Sequence, residues 1–540
     1  MTTEQLRRRE NVRQTIEEYT SLGSKFENPP QVSLEIRSVA LPDEEVGARD
    51  IAVSTAYQCY APGITKIALR RDEKSEENAE NTLRAGHLTT RQHANFTWKL
   101  IGVSRAMVHD ILHFSPFYNT SQQSQRYVEA KAGNYLVPVF LTDQQKDVYT
   151  KIADFSNGSY FELLELVRPR VEERIHAMYP VAGWRVEETA KRLGEKVPKL
   201  CQEVARYVLP IAQRTTLDYT LSELQLIRLF KISGNYNFSN EARVVIGRMV
   251  EEVAKVDPTI LGELKIPSPE GPRPSLDEVT IRKGKDDFDK VLGAERNSLL
   301  LTPSPQTRDA LVWSVRNILG DPDLNEEEAL KKLLDPQKNI LLADVLATGM
   351  LDPLTSILRQ ASITYLTRIS HTGDSQRQRQ RMTSGATPSL EALYSGDPDY
   401  QTPLVIQEDE KLRGHYSLII ERMFENVKEA IAMGIPEEYA LLLLPNALTV
   451  RLTETGTLFD WFIRWKERLC YRAQEEIFFV SVDQVDQFLQ SLPEASKMLQ
   501  AKCGVRKRAG VSPRCPEGTY WCGQPVFNWD IDRYKKERLI

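Results

Sequence analysis

Two stretches of this chain read alike and in the same order, which suggests a duplicated domain. "RQHANFTW", residues 91–98, aligns with "LRQASITY", residues 358–365: Ala and Thr are shared, Phe matches Ile, and Trp matches Tyr. The same offset sets His109 opposite Gln376. Further along, "VARYVLP", ending at Pro210, pairs with "YALLLLP", ending at Pro445, and 31 residues beyond each proline stands a glutamate, Glu241 and Glu476.

Between the copies, "LKIPSPEGPRPSLDE" interrupts a largely helical pattern with four prolines and a glycine, which marks a linker. The expected organisation is a helical extension over 1–30, a first domain over 31–263, the linker over 264–278, a second, divergent domain over 279–500, and a cysteine-containing tail over 501–540. "FELLELVRPRVEERIHAMY" and "LIIERMFENVKEAIAMG", among others, carry helical apolar spacing, whereas "QVSLEIRSVAL" reads as a strand leading into the helix "VGARDIAVSTAYQCY".

With 540 residues, 41% of them hydrophobic, the chain can bury more than one core. Lys+Arg of 70 against Asp+Glu of 75 leaves a net charge of -5 without a long basic block, so nucleic acid is not an expected partner, while small anionic ligands stay open. The opening "MTTEQLRRRENVRQTIEEY" lacks the apolar centre of a signal peptide. The longest apolar run, "YALLLLPNALTV", contains Pro445 and is too short to span a bilayer. A cytoplasmic protein without a membrane partner is expected. Cys59, Cys201 and Cys470 sit in helical patterns; Cys503, Cys515 and Cys522 cluster in the tail as a zinc knuckle would, but without a C-x-x-C spacing they read first as ordinary cysteines.

"DSQRQRQRMTSGATPS", residues 374–389, places arginines on alternate positions before a run of small residues, either a solvated charge run or an anion clamp. The first copy holds "GHLTTRQHANFTW" and, later, Ser124, Gln125, Arg126 and Tyr127. His109 and His113, four apart on a helix, have no further ligand pattern and read as polar lining. Taken in order, these pieces resemble the flavin-dependent thymidylate synthases. That family carries His-x-Thr with a second His and a Phe, then Gln-x-x-Arg-His-Arg, a Ser seven residues on followed by Arg-Tyr, Ala-Arg-x-x-Leu-Pro, and an Arg shortly before Ala-Gln-x-Glu-Ile.

The copies divide these elements between them. The first has His87, Thr89, Gln92, His93, Phe96, Ser124, Arg126, Tyr127 and Ala205-Arg206 before Leu209-Pro210; at the Arg-His-Arg position, strict spacing gives Phe114, Ser115 and Pro116. The second has Gln376-x-x-Arg379-Gln380-Arg381 with Gln for the central His, then Ser389, Arg468 and "AQEEI", but Leu441 in place of the upstream arginine. The resemblance covers roughly residues 31–260 and 290–490.

The resemblance implies an α+β fold of two duplicated, mostly helical domains, each with a small antiparallel sheet. It implies reductive methylation of dUMP to dTMP, with methylenetetrahydrofolate as carbon donor and FAD, recharged by NADPH, as hydride carrier. Anionic ligands of this kind call for planar, bidentate arginines. By the family's pattern Ser124, Gln125, Arg126, Arg206, Gln376 and Arg468 would hold dUMP, and His87, Thr89, Gln92, Arg379, Gln380 and Arg381 would hold FAD. No single catalytic residue is assigned, since the flavin carries the hydride. The distribution of losses implies a composite site shared between the copies. A family built as a homotetramer implies a homodimer of this doubled chain. Two other readings stand beside this one: a non-catalytic nucleotide- or flavin-binding paralogue, and a flavoenzyme modifying another pyrimidine nucleotide.

Overall fold

"NFTWKLIGVS" alternates side chains that pack inward with side chains that do not, and it forms the central strand β2 of the first sheet (Asn95–Ser104). The computed structural model describes the chain apart from residues 1–2, 38–45, 60, 115–117, 179–193, 236–237, 266, 268–276, 294 and 303–306. Most of the Pro-rich linker therefore lies outside the described residues.

The chain forms two compact units: 1–157, 210–275 and 425–444 make the first, and 158–209, 276–424 and 445–540 the second. Each thus takes in a segment from the other copy's stretch of sequence. In unit 1, β1 (Gln31–Arg37), β2, β3 (Asn119–Gln122) and β4 (Arg214–Ser222) form an antiparallel sheet in the order β1-β2-β4-β3. Its inward face sets Trp98 opposite Tyr219 and Phe96 opposite Leu221. These four join Val12 and Ile16 of the helix Thr3–Ser21 and Met249 and Val253 of the helix Asn240–Val256 in one core. Side chains of this size each contribute about 1.5–3 kcal/mol on full burial.

Unit 2 has the same plan. Strands β5 (Ser298–Thr302), β6 (Ser362–Ser370), β7 (Ser384–Ala386) and β8 (Thr449–Thr457) pair antiparallel in the order β5-β6-β8-β7. Tyr365 packs edge-on to Trp461 of the helix Leu458–Arg468, with ring centroids 4.9 Å apart. The α+β fold is duplicated, and individual hydrogen bonds repeat. Trp98 Nε1 donates to the Met249 carbonyl at 3.2 Å, and Tyr365 Oη donates to the Gln484 carbonyl at 2.7 Å. Glu241 accepts from the backbone N–H and hydroxyl of Ser104 at 2.7 and 2.5 Å; Glu476 does the same for Ser370 at 2.6 and 2.5 Å. Each serine hydroxyl also accepts from a backbone N–H three residues on, capping the helix that follows.

The borrowed segments are held by matching backbone bonds. In unit 1 the N–H groups of Ile211 and Ala212 donate to the carbonyls of Leu444 and Leu442; in unit 2 those of Asn446 and Ala447 donate to Leu209 and Tyr207.

One alignment detail is corrected. A β-bulge between Ile101 and Val103, at Gly102 with φ of 72°, adds a residue to β2 that β6 lacks. The offset is 267 from Trp98 to Tyr365 and 266 from Ser104 to Ser370. The counterpart of Gln376 is accordingly Asp110 rather than His109, and that of Arg379 is His113 rather than Phe114. Ser115 and Pro116 lie outside the described residues.

Candidate functional site

In unit 2 the helix Lys196–Ala205 runs into a tight turn, Arg206–Val208, that carries Arg206 and Tyr207 inward; both are buried. Asn446 Nδ2 donates to the Arg206 carbonyl at 3.0 Å and holds this turn. The side chains meet Gln474, the residue just before the helix Glu475–Ser491. Gln474 Oε1 accepts from Arg206 Nη2 at 2.5 Å and from Gln376 Nε2 at 2.7 Å, while Gln474 Nε2 donates to Tyr207 Oη at 2.5 Å. Arg468 Nη2 donates to the Gln376 carbonyl at 2.6 Å. Gln376 sits on the helix His371–Arg377, which starts directly from β6. Of the six residues expected at dUMP, Arg206, Gln376 and Arg468 are thereby brought together, one from the first copy and two from the second.

Tyr207 also donates to Glu476 at 2.5 Å, the carboxylate that holds Ser370. Burial and this carboxylate push the Tyr207 phenol well up, so it remains a donor. Beside it, Glu475 is buried and accepts from the Leu404 N–H at 2.5 Å; burial pushes its carboxyl up to about 7. A cavity between Tyr207, Gln474, Glu475, Glu203 and Pro403 has a volume of about 10 Å³, room for one water and not for a nucleotide.

The alternating arginines separate into two kinds. Arg377 is buried, with ion pairs to Asp374 and, at 2.9 Å, to Glu454. Glu454 also pairs with buried Arg464 and accepts from Thr367 at 3.0 Å. Burial works against its charge, yet Arg464 and Arg377 hold the Glu454 carboxyl below the usual carboxylate range. Arg379 is exposed and Gln380 and Arg381 are partly so, on the turn that leaves this helix. The Gln380 N–H donates to the Arg377 carbonyl at 3.0 Å, which closes that turn over the buried pair.

The remaining expected residues lie in unit 1. Gly86, with φ of 79°, ends the helix Glu73–Ala85; exposed His87 follows it, and exposed Thr89 and Gln92 sit on the short turn Thr89–Gln92. Ser124, Gln125 and Arg126 form the turn after β3, where Ser124 Oγ accepts from the Arg126 N–H at 3.2 Å and the Arg126 guanidinium lies 5.6 Å from the Tyr127 ring centre. The ring centres of His109 and His113 lie 4.1 Å apart, with the planes tilted by 37°.

Sequence reasoning left Tyr207, Gln474 and Glu475 without roles. Tyr207 stands beside Arg206, and Gln474 and Glu475 lie within "AQEEI", so the signal was present as adjacency to an assigned arginine and membership of a named motif.

Comparison with known proteins places two regions of the chain, 41–259 and 300–494, in one family, described as thymidylate synthase complementing protein. A flavin-dependent thymidylate synthase of Clostridium tetani is 26% identical over 214 residues, covering 39% of this chain and 79% of that protein. One from Mycobacterium sp. strain JLS is 24% identical over 247 residues, covering 45% and 87%. Among solved structures, a UMP/dUMP methylase, PolB from Streptomyces cacaoi, bound with 5-Br dUMP, aligns at 15% identity and a TM-score of 0.30, over 43% of this chain and 93% of that one.

Proposed function

The chain belongs to the thymidylate synthase complementing protein family, and on that premise we propose that it is a flavin-dependent thymidylate synthase, methylating dUMP reductively to dTMP with methylenetetrahydrofolate and NADPH. The observation that carries the reading is the convergence of Arg206, Gln376 and Arg468 on and around Gln474, from two copies neither of which holds the full set. Arg206 and Arg468 supply the positive charge that a nucleotide phosphate requires. Gln474 fixes the Arg206 guanidinium and the Gln376 amide before substrate arrives, so less ordering is left to binding. Ser124, Gln125 and Arg126 belong to the same proposed substrate set.

His87, Thr89, Gln92, Arg379, Gln380 and Arg381 would hold FAD. Their chemistry fits: two guanidiniums on one turn suit a diphosphate, and the exposed imidazole of His87 with the hydroxyl and amide of the turn after it suit ring edges and ribose. When bound, the flavin supplies the hydride chemistry that no side chain provides. A homodimer and a cytoplasmic location belong to the same reading; no helix among the described residues is long and apolar enough to cross a membrane.

One observation favours a second reading, a non-catalytic nucleotide-binding paralogue. Gln380 stands where the family pattern has His, and Arg206 and Gln376 already share an internal acceptor. Expression in a thymidine-requiring bacterial strain separates the two. Growth without thymidine supports the enzyme; no growth despite soluble expression and measurable dUMP binding supports the paralogue.

A further inference from the structure

Tyr207 Oη stands between two partners in unit 2. It accepts from Gln474 Nε2 at 2.5 Å and donates to Glu476 at 2.5 Å. A phenol has one proton, so the bond to the carboxylate decides what it offers on its other side. Glu476 is surrounded by donors: the Ser370 N–H at 2.6 Å, the Ser370 hydroxyl at 2.5 Å and Tyr207 itself. The Ser370 hydroxyl in turn accepts from the Gly373 N–H at 2.9 Å. With its proton committed to Glu476, Tyr207 can only accept from Gln474, which must present Nε2 there and Oε1 to Arg206 and Gln376. An amide turned over would set Nε2 against Arg206, a side chain that only donates.

Unit 1 shows the same fold without this arrangement. The Ala212 N–H donates to the Leu442 carbonyl as the Ala447 N–H donates to that of Tyr207, so Leu442 holds the place of Tyr207, and Leu441 that of Arg206. Ser239 precedes the helix Asn240–Val256 as Gln474 precedes Glu475–Ser491; it accepts from the Ala242 N–H at 3.1 Å and caps its helix. Gln474 makes no cap bond and turns its amide to Tyr207, Arg206 and Gln376 instead. Glu241 holds Ser104 as Glu476 holds Ser370, with a leucine where the phenol would stand. The bond between glutamate and serine therefore does not need the tyrosine, which occurs where the arginine and the glutamine do.

We propose that Tyr207 is a positioning residue of the substrate site. Held by Glu476, it locks the Gln474 amide with its oxygen toward Arg206 and Gln376, and so sets both groups for the nucleotide. The proposal rests on the reading that Arg206 and Gln376 meet dUMP.

A double-mutant cycle on the full-length protein, with dUMP binding followed by calorimetric titration, tests this. Tyr207→Phe keeps the ring and removes the oxygen that accepts from Gln474; it should weaken dUMP binding roughly tenfold. Made in the Gln474→Ala background, where no amide is left to orient, the same change should alter affinity by less than about twofold. If Tyr207→Phe does not fold, Tyr207→Leu, which copies Leu442, takes its place in the cycle. A tyrosine that merely packs would weaken binding by the same factor in both backgrounds, and that result would overturn the proposal. So would unchanged affinity in the single tyrosine variant of a parent that binds dUMP. A parent protein that binds no dUMP would overturn the reading of the site, and the proposal with it.

Discussion

Arg206 and Gln376 donate to the same oxygen, Gln474 Oε1, at 2.5 and 2.7 Å, although 170 residues of sequence separate them. An acceptor shared by a buried guanidinium and an amide couples the two, so removing it loosens both. Gln474→Ala is expected to cost about 1–3 kcal/mol of dUMP binding, read by calorimetric titration. Gln474→Glu keeps an acceptor and should lose less. Equal affinity of the parent and Gln474→Ala would show that the pair is not pre-ordered by Gln474.

The turn after the helix His371–Arg377 sets a buried arginine beside an exposed one, which predicts opposite phenotypes. Arg379→Ala should leave stability within about 0.5 kcal/mol while abolishing retention of FAD after desalting. Glu454→Gln leaves Arg377 and Arg464 buried without their shared carboxylate and should destabilise unit 2 by about 3–5 kcal/mol in denaturant titration. An Arg379→Ala protein that retains flavin would make this stretch a charge run after all.

Much of this was legible in the chain. The match of Trp98 with Tyr365, and of Glu241 with Glu476, predicted a duplication that recurs down to single hydrogen bonds. Three features were not legible, each for a physical reason. The bulge at Gly102 leaves no mark on hydrophobic alternation beyond a glycine, yet it moves the partner of Gln376 from His109 to Asp110. The burial of Arg377 depends on Glu454, 77 residues away on β8, whereas local sequence shows only alternation with glutamine. The taking-in of 158–209 by unit 2 and 425–444 by unit 1 is a matter of long-range contacts, to which periodicity is blind.

The duplication carries an energetic expectation. Ser104→Ala and Ser370→Ala each remove a helix cap and one donor to a buried glutamate, and should each cost about 2 kcal/mol. Equilibrium unfolding of the two variants checks this. A large cost at one position and none at the other would mean that the repeated geometry is not repeated energetics.

Glu475 sets a pH dependence. Burial raises its folded pKa to about 7, above the roughly 4.3 of an unfolded glutamate. Its contribution to stability is therefore fully present below about pH 4.3 and is lost as pH rises through 7, on the order of 3 kcal/mol in all. Glu475→Gln should flatten the melting temperature between about pH 5 and 8 and lie above the parent at pH 8. Some slope should persist, because burial also pushes Glu241 up to about 7. A variant profile parallel to the parent's would contradict this.

Whether arginines from both copies serve one thymidylate synthase site is read by release of tritium from dUMP labelled at C5, the position that receives the methyl group. With FAD, NADPH and methylenetetrahydrofolate, the parent protein is expected to release tritium to water, and Arg206→Ala and Arg468→Ala, changed in different copies, are each expected to lose at least a hundredfold in rate at fixed substrate, equivalent to about 2.7 kcal/mol. No release from the flavin-loaded parent, or undiminished release from either variant, would contradict a shared thymidylate synthase site.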